Sequence, residues 1–130
     1  MSQKPKPPNT EPSIRVVMMP RDTNAEGTIF GGVILSLIDQ AAYVEAVRQA
    51  HRRYVTVAMR EVVFHQPVFV GDVLSLYCDT IRVGRTSLTI GVRVCARRRT
   101  DPDQDVKVTE AEVVFVSVDE AGKPVPLYAE

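Results

Sequence analysis

Hydrophobic and polar positions change rhythm once along this chain. A short apolar run, Ile14 to Met19, stops at Pro20 and reads as a first strand. The polar stretch Arg21 to Thr28 then leads through Phe30-Gly31-Gly32 into a proline-free apolar segment, Val33 to Ala50, which reads as one helix. Its apolar residues, Val33, Ile34, Leu37, Ile38, Ala41, Ala42, Val44 and Val47, spread beyond a narrow stripe. That spread predicts a helix buried on most sides. Its length suits a membrane span, but Ser36, Asp39, Gln40, Glu45 and Arg48 would each be costly in lipid, which excludes one.

Beyond His51-Arg52-Arg53 the rhythm becomes that of strands: Tyr54 to Phe64, Val73 to Val83, Ser87 to Arg98 and Val106 to Val118. The third alternates most clearly. Leu88, Ile90, Val92, Val94 and Ala96 share one face, and Thr89, Gly91, Arg93, Cys95 and Arg97 share the other, so one face packs on a core. Gly84-Arg85 suits a tight hairpin, and Arg99 to Asp105 reads as a polar loop. The expected fold is α+β, a curved five-stranded antiparallel sheet around one long helix. A polar leader over 1–12, one domain over 13–120 and a tail over 121–130 complete the organisation.

Charge and cysteine content narrow the function classes. Sixteen Lys+Arg balance sixteen Asp+Glu, and the arginine clusters lack interleaved aromatics, which argues against a nucleic-acid role. Cys78 and Cys95 form no Cys-x-x-Cys pair, so neither a metal site nor a redox motif is indicated. The proline-rich stretch Met1 to Pro12 lacks the charged-then-apolar order of a signal peptide, and a cytoplasmic protein is expected.

Asp39 is the first candidate for chemistry, because a carboxylate within an apolar helix must be solvated, paired or functional to offset its desolvation. Asn24 sits in a turn-rich loop, where asparagine is commonly a turn former. Gly31 and Gly32 either permit close packing or leave helix N-terminal amides free to stabilise an oxyanion, a donor worth about 2.7–4 kcal/mol. Gly84-Arg85-Thr86-Ser87 is an ordinary exposed hairpin or an anion site. Arg97-Arg98-Arg99 is a protected strand end or a second phosphate contact. No serine stands in a nucleophile elbow, and neither histidine pairs with a cysteine in a triad-like way.

Several stretches resemble one family. They are Met19-Pro20-Arg21-Asp22-Thr23-Asn24-Ala25, Ile29-Phe30-Gly31-Gly32, Asp39 in its helix, Val55-Thr56-Val57-Ala58, Pro67-Val68 with Val70-Gly71-Asp72, and Val83-Gly84-Arg85-Thr86-Ser87. Together they resemble the bacterial YciA-type acyl-CoA thioesterases of the hotdog fold and span most of Met19 to Val118. The resemblance implies hydrolysis of acyl-coenzyme A, with Asp39 as general base or nucleophile, Asn24 facing it, and an amide near Gly32 polarising the thioester. It implies substrate contacts from Gly31, Val57, Ala58, Gly84, Arg85, Thr86, Ser87 and Arg97. No cofactor is implied, since coenzyme A belongs to substrate and product.

The resemblance also implies an active site shared between chains, in a homo-oligomer that is at least a dimer and of the trimer-of-dimers type. The chain departs from the family pattern after Ala58, where Met59 to Val63 and Phe64-His65-Gln66 lie along or near the acyl channel of similar proteins. That departure bears on the acyl chain length accepted, not on the reaction. Two rivals stand: an acyl-CoA-sensing module without turnover, and a hydratase, which generally employs a histidine absent from this helix block.

Overall fold

The alternating runs of the second half become one antiparallel sheet. The computed structural model describes residues 9–128, with β1 (Ile14–Val17), α1 (Gly31–Gln49), β2 (Arg53–Phe64), β3 (Val73–Val83), β4 (Ser87–Arg98) and β5 (Asp101–Val118). The sheet order is β1-β3-β4-β5-β2, so β1 and β2 are the edges. The expected hotdog architecture is what forms. Inward-facing Leu88, Ile90, Val92, Val94 and Ala96 of β4 are all buried, as their alternation requires. Thr89, on the other face, is buried as well.

α1 crosses the concave face through Ile34, Ile38, Ala41, Ala42 and Ala46. The rings of Tyr43 and Tyr54 pack on Phe115 at 6.4 and 5.9 Å between centroids. The helix begins at Gly31, earlier than its apolar run, and ends at Gln49. It is not buried on most sides: Gly32, Ser36, Gln40, Tyr43 and Val44 are exposed in the single chain. The spread of apolar residues therefore marks two faces, only one of them covered by the chain's own sheet. Buried Glu45 is held by Arg48, which donates to both of its carboxylate oxygens at 2.9 and 2.7 Å, and by the Thr80 hydroxyl at 3.2 Å. Among the described residues no helix is long and apolar enough to cross a membrane.

The polar loop expected over Arg99 to Asp105 is a turn at Arg99-Thr100, and β5 starts at Asp101, paired with Arg98. This end of the hairpin is largely exposed, so its residues are polar without breaking the ladder; Arg97 donates to Asp105 across it at 3.1 Å. The Gly84 turn spans three residues, Gly84 to Thr86, between the two strands. Most of the expected leader lies outside the described residues. At its described end, Asn9 donates to Asp79 and to the Cys78 carbonyl, and Arg93 donates to the Asn9 carbonyl.

Residues beyond Val118 fold back onto the sheet. Asp119 Oδ1 accepts the amides of Ala121 and Lys123, and Val125 and Leu127 donate to the carbonyls of Ser117 and Arg85. Leu127 is buried in the core cluster. We expect Leu127→Ala to lower the unfolding free energy by about 2–5 kcal/mol in urea titration, the range for emptying a core position. A loss under about 0.5 kcal/mol would mean that this segment is only loosely attached.

Burial pushes the Cys78 thiol up from 9.0 to about 11. A folded-state value above the unfolded one favours the native state while the thiol is neutral. That contribution is intact below pH 9 and is lost as pH rises through about 11. Between pH 8 and 11 the wild type should lose on the order of 2 kcal/mol more than Cys78→Ala, read from denaturation midpoints. Parallel losses in both proteins would contradict this.

Candidate active site

Asn24 organises the loop before α1. Its Oδ1 accepts the amides of Glu26 and Thr28 at 2.8 and 3.1 Å, and its Nδ2 donates to the Thr28 hydroxyl at 2.8 Å. Gly27 closes the turn at φ +85°, a conformation that side chains resist. The turn-forming reading of Asn24 is therefore realised. One amide hydrogen remains beyond these bonds. The amides of Ile29 and Phe30 donate to the carbonyls of Val68 and Asp22, which pins the helix start from both flanks.

Phe30 occupies the N-cap and offers no side-chain acceptor. The amides of Val33 and Ile34 reach its carbonyl at 3.1 and 3.4 Å, while those of Gly31 and Gly32 donate to nothing among the described residues. The two glycines differ in use. A Cβ on Gly31 would stand 3.3 Å from Cζ of Phe64, so the missing side chain admits that ring; the space above Gly32 is open for 4 Å. Beside them runs a cleft of about 340 Å³, walled by Ile29, Ile34, Phe64 and Val68 and edged by His65 and Gln66.

Asp39 accepts a hydrogen bond from the Thr56 hydroxyl on β2 at 2.7 Å. Thr56 escaped the sequence reading as a site residue, although its parity with buried Tyr54 on the strand signals an inward side chain. Gly32 and Asp39 are two helical turns apart on one exposed-to-half-buried stripe, about 10 Å along the axis. Reacting atoms must come within about 3–3.5 Å. Within one chain the free amides and the carboxylate stand farther apart than this.

The Gly84 turn lies toward the Thr56 end of the sheet, because Thr56 pairs with Phe115 and Phe115 with Leu88. The amides of Ser117 and Leu127 donate to the carbonyls of Thr86 and Arg85, and Gly84 donates to Ser87. A Cβ on Gly84 would stand 2.5 Å from the Ser87 hydroxyl. Arg97 sits at the far end of β4, about 33 Å from Ser87, and is paired with Asp105. The two arginine regions do not meet within one chain. Val57 and Ala58 are exposed on β2, where the register shifts between Thr56 and Ala58.

Two features went unread in the sequence. His65 Nε2 lies 3.4 Å from Oε1 of Glu110, which also forms a close ion pair with Lys107. Lys107 first, and then His65, hold the Glu110 carboxyl below its ordinary range. A larger hollow of about 640 Å³ opens on the outer sheet face over Gly91, between the ion pairs Arg60–Glu112 and Arg93–Asp79. None of the sequence-derived candidates lines it.

A family model described as the thioesterase superfamily matches residues 26–102, more than half of the chain. An uncharacterized acyl-CoA thioester hydrolase of Zymomonas mobilis is 44% identical over 123 residues, covering 95% of this chain and 82% of its own. The YciA acyl-CoA thioester hydrolase of Salmonella typhimurium is 41% identical over 122 residues, covering 92% of each. A hexameric hotdog-fold thioesterase of Campylobacter jejuni superposes with a TM-score of 0.85 at 43% identity, covering 91% of this chain and 90% of its own.

Proposed function

Since the chain belongs to the thioesterase superfamily, we propose that it hydrolyses acyl-coenzyme A to a free carboxylic acid and coenzyme A. The observation that carries this reading is the pair of free amides at Gly31 and Gly32, opening beside a cleft on the helix that also bears Asp39. Such amides stabilise the oxyanion that forms as a thioester carbonyl is attacked.

In the proposed reaction the carbonyl oxygen rests on the Gly32-side amide of one chain, and Asp39 comes from a second copy. With Asp39 as general base, it takes a proton from water as the water oxygen bonds to the acyl carbon. The C–S bond then breaks, and the coenzyme leaves as a thiolate that takes up the proton. With Asp39 as nucleophile, its carboxylate oxygen bonds to the acyl carbon, the C–S bond breaks and the coenzyme leaves as a thiolate. Water then cleaves the mixed anhydride, freeing the acid and the Asp39 carboxylate, and its proton goes to the thiolate. Asn24 orients water or substrate with its spare amide hydrogen.

The separation of about 10 Å between the amides and Asp39 in one chain supports a homo-oligomer with a site shared across subunits. The edge strand β2 supports the same reading, with Val55, Val57, Val63 and Phe64 exposed along it and Tyr43 and Val44 exposed on α1. A trimer of dimers is the proposed assembly, in line with the hexameric thioesterase of C. jejuni. Two unpaired cysteines accord with a cytoplasmic location.

Thiol release from an acyl-CoA panel, acetyl to palmitoyl, tests the reaction. Asp39→Asn should lower kcat by about 10²–10⁴ with the circular dichroism spectrum unchanged. Activity within a few-fold of wild type would remove Asp39 from the chemistry. Saturable coenzyme A binding without turnover of any ester would favour a sensing module instead.

Arg85, with Thr86 and Ser87, is proposed to hold the coenzyme phosphates. Arg85→Ala should raise KM about tenfold or more for a coenzyme A ester and leave a pantetheine thioester, which lacks the nucleotide, unaffected. Equal effects on both would count against a phosphate contact.

A further inference from the structure

We propose that His65 and Gln66 select a short acyl group bearing a neutral hydrogen-bonding oxygen, a hydroxyl or a ketone, over a plain alkyl chain. The inference rests on the thioesterase reading and concerns what the cleft beside Gly31 accepts. At about 340 Å³ this cleft is at the small end of ligand sites. Its walls are apolar, but His65 and Gln66 edge the same space.

Both side chains are carried on fixed backbone. The amides of His65 and Gln66 donate to the same carbonyl, Val108 on β5, at 2.8 and 3.3 Å. Glu110 faces His65 Nε2, and Lys107 holds Glu110 in turn, which leaves the other imidazole nitrogen available. The Gln66 side-chain amide has no hydrogen-bond partner among the described residues. Both side chains are exposed in the single chain, where solvent satisfies such groups. A saturated chain filling the cleft would strip that water and return no hydrogen bond, whereas an oxygen on the acyl group replaces it. Among the described residues no lysine or arginine lines the cleft, so a terminal carboxylate would be desolvated there without a full cationic partner, whereas a neutral oxygen needs none.

The test compares kcat/KM for butyryl-CoA, 3-hydroxybutyryl-CoA and succinyl-CoA by thiol release. The wild type should favour the hydroxy ester over butyryl by about tenfold or more. The double variant His65→Leu, Gln66→Leu should reverse that order. His65→Asn, which keeps a hydrogen-bonding group, should retain most of the preference. A wild type that prefers butyryl, a ratio unmoved in the double variant, or succinyl as the best substrate would overturn the inference. Brisk turnover with a flat ratio defeats this inference alone; no turnover of any coenzyme A ester defeats the thioesterase reading with it.

Discussion

Ala41, Ala42 and Ala46 carry one methyl group each and are fully buried, which lets α1 lie close against the sheet it crosses. That close seating fixes the rotation of the helix. With the alanines and Ile34 and Ile38 turned inward, the stripe bearing Gly32, Ser36, Asp39 and Tyr43 faces away from the main core. Thr56 meets Asp39 at the border of that core, and Phe64 lies over Gly31. A larger residue in place of any of the three alanines would push the helix off the sheet and misplace both contacts.

Two carboxylates on this helix show how structure and chemistry divide. Glu45 is buried and saturated, with a guanidinium on both oxygens and a hydroxyl besides. Such a group is held in place by its partners and is turned into the fold. Asp39 has a hydroxyl donor and remains partly open to solvent. It is oriented by one hydroxyl and has no cationic partner among the described residues, which suits the base or nucleophile role proposed for it. The sequence alone could not separate the two, because both are isolated acids in an apolar helix.

The architecture was legible because period-two alternation in β4 and a long apolar run in α1 are strong signals. Polarity misled where it was used as a loop signal. Asp101 to Asp105 are polar because the hairpin end is solvated, not because the ladder stops. The breadth of apolar positions on α1 predicts burial on most sides, although the chain's own sheet covers only one side. For the candidate site, local motifs marked Asn24, the glycines, Asp39 and the Gly84 turn. Strand parity marks Thr56 as inward, but that it meets Asp39 on the helix, and that His65 meets Glu110 on β5, depends on how separate elements are packed together, which no local pattern encodes.

The return of the chain after Val118 reaches the Gly84 turn. Two of that turn's carbonyls are occupied from behind, that of Thr86 by Ser117 and that of Arg85 by Leu127, and Gly84 is closed onto Ser87. The backbone at the turn has thus already lost its conformational freedom during folding. An anion bound there, as proposed for the coenzyme phosphates, would meet a rigid frame, and little ordering entropy would be subtracted from the affinity of each contact.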